Sequence, residues 1–119
     1  MSSFSKQILS GSTNGRLIKV AATATAGTLI HTAGAGAVNM DELWLYAVNS
    51  DNGNDHVLTI EYGGVGAPDD LIEVTVAAET GLALVVPGLI LQNSLVVRAF
   101  AVGAANLLMV GGFVNRITV

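Results

Sequence analysis

The chain has 119 residues, enough for one ordinary domain, since halving it would leave each part too little interior to offset the entropy of ordering its backbone. Hydrophobic residues make up 51% and charged residues 12%, about half the roughly 25% charged fraction usual for soluble domains, so part of the surface is expected to lie against a partner. A net charge of −4 and a pI near 4.8, with five scattered cations (Lys6, Arg16, Lys19, Arg98 and Arg116), argue against nucleic-acid binding, which draws its affinity mainly from cations that neutralise phosphates.

A spanning helix needs about 20 apolar residues, whereas the longest apolar run, residues 82–91, holds ten and contains Pro87 and Gly88. No membrane association is expected. The first dozen residues lack a long apolar stretch behind a basic start, so the reading is of a protein folded in the cytoplasm that makes it. Without cysteine there are no disulfides and no thiolate metal sites.

Residues 1–15 are rich in Ser, Gly, Thr and Asn, with Phe4, Ile8 and Leu9 as the apolar anchors. They read as a flexible arm without a packed core, serving attachment more than folding. From Arg16 the texture changes, and residues 16–119 are expected to form a single β-sandwich domain. Short runs rich in Val, Ile, Leu, Thr and Ala cover 17–25, 28–32, 42–48, 56–62, 71–77, 82–86, 89–91, 95–102 and 107–117. Turn-forming stretches separate them at roughly ten-residue spacing, the pattern of an antiparallel sandwich or barrel with about eight strands. The Ala-rich stretch 20–26 does not extend a helix, because Thr and Val interleave the alanines and no 3.6-residue period survives past one turn.

In 56–62, Leu58, Ile60 and Tyr62 alternate with Val57, Thr59 and Glu61, so one face is apolar and the other mixed. The run 71–76 repeats this, with Ile72, Val74 and Val76 opposite Leu71, Glu73 and Thr75. Both read as outer strands. By contrast Leu43-Trp44-Leu45-Tyr46-Ala47-Val48 and Leu82-Ala83-Leu84-Val85-Val86 are apolar on both faces, as strands are when both sides are covered. The second cover is expected to be another subunit, which makes Leu43, Trp44, Leu45, Tyr46, Leu82, Leu84 and Val86 candidate interface residues, together with Phe4, Ile8 and Leu9 of the arm. Trp44 and Tyr46 share one strand face and form an aromatic anchor for a core or an interface.

Little in the chain suggests chemistry. The histidines, His31 and His56, form no short-spaced metal pair and read as strand-end residues beside turns. No Gly-x-Ser-x-Gly elbow is present. Asp51, Asn52, Asn54 and Asp55 around Gly53 lack the order of an EF-hand loop, and with Asp69-Asp70 they read as polar turns. Gly63-Gly64 and Gly111-Gly112 do not complete a phosphate loop and read as bulges or close backbone approaches. No catalytic, metal or cofactor residue is assigned.

The segments Asp41-Glu42-Leu43-Trp44-Leu45-Tyr46-Ala47-Val48-Asn49, Leu58-Thr59-Ile60-Glu61-Tyr62-Gly63-Gly64, Asp69-Asp70-Leu71-Ile72-Glu73-Val74, 81–91, Asn93-Ser94-Leu95-Val96-Val97-Arg98-Ala99-Phe100-Ala101 and Gly112-Phe113-Val114-Asn115-Arg116-Ile117 resemble, in composition and order, small virion proteins of tailed bacteriophages. The resemblance covers residues 28–117. It implies a capsid decoration, or cement, protein: a jelly-roll-like antiparallel β-sandwich with an extended N-terminal arm, which trimerises on the outer shell and clamps neighbouring major capsid subunits. The implied partners are the major capsid protein and further copies of the chain as a homotrimer, and the implied location is the capsid exterior. The alternative is a receptor- or glycan-binding module of a head or tail fibre. Such a module would carry exposed aromatics on loops, whereas those here lie mainly in strands.

Overall fold

A computed structural model describes residues 3–118. Among them the chain forms nine strands and no helix: β1 (Ser3–Ile8), β2 (Ile18–Lys19), β3 (Thr28–Thr32), β4 (Asn39–Asn49), β5 (His56–Tyr62), β6 (Leu71–Val76), β7 (Ala83–Leu91), β8 (Val96–Phe100) and β9 (Leu108–Thr118). They make two antiparallel sheets. In the five-stranded sheet β9 lies between β4 and the end-to-end pair β1 and β2, and β7 borders the far side of β4. The four-stranded sheet runs β3-β8-β5-β6. After β2, the β5–β6 hairpin is the one connection that stays within a sheet; every other connection changes sheet.

β4 follows the two-residue period along its whole length. Asp41, Leu43, Leu45, Ala47 and Asn49 are buried, while Met40, Glu42, Trp44, Tyr46 and Val48 are half-buried on the opposite side. Leu43, Leu45, Val86, Val110 and Val114 from this sheet join Ile30, Leu58, Ile60, Val97 and Ala99 from the other in one continuous core, so the two sheets pack face to face as a sandwich. β4 and β9 approach closely at Gly112, whose φ is 144° and where any Cβ would overlap the Trp44 carbonyl oxygen; this position accepts only glycine.

The segment read as a free arm is an edge strand. β1 pairs antiparallel with β9 from Ser3 opposite Thr118 to Ile8 opposite Phe113. Leu9 is 1% exposed in the core, and the Gly11 N–H donates to the Ile30 carbonyl. The polar composition misled because β1 is held by its backbone pairing to β9 while its side chains stay largely exposed, so it needs few apolar residues. The run 17–25 contributes only two strand residues. Beyond Val20 the chain leaves the sheet and crosses the outer side of the four-stranded sheet, where Ala101 N–H donates to the Ala22 carbonyl and Gly27 N–H to Glu61. The runs 82–86 and 89–91 are one strand, β7, with register shifts opposite Leu43–Trp44 and Leu45–Tyr46. Pro87 is tolerated there because β7 is an edge and its outer side needs no donor.

Leu9→Ala should lower stability by about 2–5 kcal/mol, the usual cost of emptying a buried leucine site, and a chain beginning at Arg16 should lose at least as much. Urea denaturation followed by circular dichroism reads both. A truncated chain as stable as the full one would return the segment to the status of an arm.

Candidate functional site

Directly opposed residues in antiparallel strands project to the same side, so the pairing lays out the outer face of the five-stranded sheet row by row. Phe4, Ile117 and Met40 form one row; Lys6, Asn115, Glu42 and Ile90 the next. Ile8, Phe113, Trp44 and Pro87 form the third. Beyond them lie Gly111, Tyr46 and Leu84, then Lys19, Met109 and Val48. Gly111 has no side chain because Leu17 occupies that space, its Cδ2 lying where a Cβ would stand. Trp44 and Phe113 stack with ring centroids 6.3 Å apart and an interplanar angle of 12°, and the Trp44 ring also covers Gly88. Phe4, Ile8, Leu17, Leu84 and Ile90 are exposed, Phe4 to 71%.

Across this face the charged side chains are Lys6, Glu42 and Lys19. Lys6 Nζ sits 4.6 Å from the Phe113 ring centroid, a cation–π contact. Glu42 Oε1 accepts from Asn115 Nδ2 at 3.0 Å and from Trp44 Nε1 at 2.8 Å. These bonds hold the carboxyl below its usual range, the one from Asn115 foremost. The rest of the face is aromatic and aliphatic, with Asn115 and the Tyr46 hydroxyl as its other polar groups.

The opposite outer face is mixed, with Leu29, Val57, Glu73 and Thr75 exposed, and is covered in part around Glu61. Glu61 is fully buried although it points away from the core; its Oε1 accepts the Gly27 N–H at 2.7 Å and its Oε2 the Thr25 hydroxyl. Arg98 donates to the Gly27 carbonyl at 3.4 Å. The strap that follows β2 thus supplies this face from within the chain.

Inside, Asp41 has no exposure. Arg116 grips it with Nε to Oδ1 at 2.8 Å and a second N–H to Oδ2 at 2.9 Å, and His31 Nε2 lies 2.7 Å from Oδ2. His31 Nδ1 accepts the Ser10 N–H at 2.9 Å, which leaves the ring proton on Nε2 to donate to Asp41. Burial works against ionisation at Asp41, but the hydrogen bonds from Arg116 and His31 together outweigh it and hold the carboxyl below its usual range. Tyr62, whose buried hydroxyl makes no hydrogen bond among the described residues, has its pKa pushed up by burial and then by the Asp41 charge.

Of the ten candidate interface residues, Phe4, Ile8, Trp44, Tyr46 and Leu84 come together on the outer face of the five-stranded sheet, and Leu82 is 65% exposed just before β7. Leu9, Leu43, Leu45 and Val86 are instead core residues, since their parity turns them inward, and they offer no surface. Sequence reasoning missed Phe113, Met40, Leu17, Pro87 and Ile90. The signal was present for Phe113, at the odd parity of 109–117, but only register shows that it stacks on Trp44. His56 bonds Asp51 Oδ2 at 2.9 Å, and Asp51 Oδ1 accepts the Gly53 N–H at 2.9 Å. These bonds, the Gly53 N–H first, bring Asp51 down to about 2. Asp55 caps the Ala78 N–H. The oxygens around Gly53 are thus committed to closing their own loop.

No family model, curated protein or solved structure matches the chain.

Asp41 and Asp51 ionise at lower pH in the folded than in the unfolded chain, whose aspartates titrate near 3.8. As pH falls towards that value the unfolded chain takes up protons first, so stability should hold from neutrality to about pH 5 and fall progressively below it. Asp41→Asn should cost about 3–5 kcal/mol at pH 7 by leaving Arg116 without its counter-charge, and should flatten part of the acid slope. Denaturation curves at pH 7, 4 and 3 test both; an unchanged slope would remove Asp41 from the account.

Proposed function

We propose that this chain is a structural virion protein that seats on the outside of a tailed-phage capsid in many copies and stabilises it by clamping neighbouring capsid subunits. The observation that carries the proposal is the outer face of the five-stranded sheet, a broad apolar surface with an aromatic stack at its centre and few charges. A face of this kind gains by burial against protein, at about 25 cal/mol for each Å² of apolar area removed from water, and gains nothing that a small soluble substrate could use. The strand order supports a jelly roll: β2-β9-β4-β7 stacked on β3-β8-β5-β6 is the arrangement that two interlocked Greek keys produce, an architecture used by viral capsid proteins. The edge strand β1 takes the place of an extended arm in this reading, and the chain acts without a catalytic centre or cofactor.

Quantitative mass spectrometry of particles purified from the phage that encodes the chain should count it in hundreds of copies, stoichiometric with the major capsid protein. A few copies per particle would favour the fibre module, and absence from the particle would overturn the virion assignment. Leu84→Asp, which alters an exposed side chain, should leave the circular dichroism unchanged and reduce the number of copies per particle several-fold.

A further inference from the structure

We infer that the apolar outer face of the five-stranded sheet is covered by the same face of a second copy of this chain, about a two-fold axis that runs along β9. This rests on the reading above that the face is covered in the working protein, and it leaves the β7 margin of the face, with Leu84 and Ile90, for the capsid contact.

Two observations name a second copy as the occupant. One is the placement of charge. Lys6, Asn115 and Glu42 lie in one row across β1, β9 and β4, with Lys6 and Glu42 on either side of β9, about one strand spacing of 4.8 Å from it each. A two-fold axis in the interface along β9 turns each row onto itself with its ends exchanged. It therefore sets Lys6 of each copy over Glu42 of the other, Asn115 over Asn115 and Phe113 over Phe113. Glu42 receives both of its hydrogen bonds on Oε1, and Oε2 has no partner among the described residues. The third charge, Lys19, is at the end of β2, at the rim, where its stem can carry the ammonium into water. The face is thus complementary to itself, as an isologous interface requires.

The other observation is size. Eleven residues of β9 at about 3.4 Å each, and the three strands β1, β9 and β4 that the axis brings face to face at about 4.8 Å spacing, give a paired face of roughly 540 Å². Pairing two such faces removes on the order of 1,100 Å² from solvent, above the roughly 1,000 Å² that a specific interface needs. The stacked Trp44 and Phe113 rings stand at its centre, where anchoring aromatics are found.

Charge-reversed chains test the pairing. By light scattering at micromolar concentration the natural chain should have twice the 12.1 kDa monomer mass, about 24 kDa. Lys6→Glu and Glu42→Lys should each weaken self-association about tenfold or more, because each places like charges opposite one another. A mixture of the two variants should regain the 24 kDa species, since every Glu then meets a Lys across the two-fold axis, and the double variant Lys6→Glu, Glu42→Lys should pair as the natural chain does. Circular dichroism checks that the variants fold. A natural chain of 12 kDa or about 36 kDa overturns the two-fold pairing even if the variants fail to fold, and so does a mixture of folded variants that stays monomeric. The virion assignment is judged separately, by copy number in the particle.

Discussion

A carboxylate shut away from water is tolerated only where cations and donors replace its hydration. Asp41 collects such groups from across the chain: the Arg116 guanidinium on β9, the His31 ring on β3 and the Gly34 N–H just beyond it. His31 uses its other nitrogen to hold the Ser10 N–H, so one network fixes the first strand, both sheets and the last strand together. It also sets register. Asp41 stands directly opposite Arg116, and a slip of one residue would turn Asp41 out, bring Trp44 in and expose Leu43 and Leu45.

The sequence was readable where a single strand decides the outcome. The two-residue period in 56–62 and 71–76 placed Leu58, Ile60 and Val76 in the core, and the Gly, Asn and Asp punctuation located the turns between strands. It misled where neighbours decide. Leu43 and Trp44 are both apolar, yet one is core and the other surface, because parity against the partner sheet separates them and composition cannot. Glu61 looked solvated, since nothing in its own strand announces that the stretch around Thr25–Gly27 will fold over it. The first fifteen residues looked too polar to belong to the domain, although Leu9 and the Ser10 N–H tie them in. For the outer face, Trp44, Tyr46 and Leu84 were foreseeable from doubly apolar runs, while the contribution of β9 depended on a pairing between residues more than sixty positions apart, such as Trp44 with Phe113.

The two outer faces carry three charged side chains each, set among different neighbours. The four-stranded sheet turns Glu61, Glu73 and Arg98 outward and is partly roofed by the chain's own strap. The five-stranded sheet turns out aromatic and aliphatic side chains with three charges among them. The two sides thus differ in the apolar side chains they turn out and not in their number of charges. The total accessible area of 6094 Å² is close to the roughly 6,000 Å² expected for a compact chain of this mass, so the apolar excess reflects which atoms are exposed and not how much area is.

The alternation of the chain between sheets reaches back to its synthesis. β4 emerges from the ribosome with apolar side chains on both faces, well before either of its hydrogen-bonding neighbours, β7 and β9, has been translated. A nascent chain in that condition presents bare strand edges and uncovered aromatics to every other copy being made on the same polysome, the situation in which β-rich proteins aggregate. Long-range pairing of this kind also closes slowly. For a chain of this design the hazard lies in that interval before β7 and β9 arrive, and not in the stability of the finished fold.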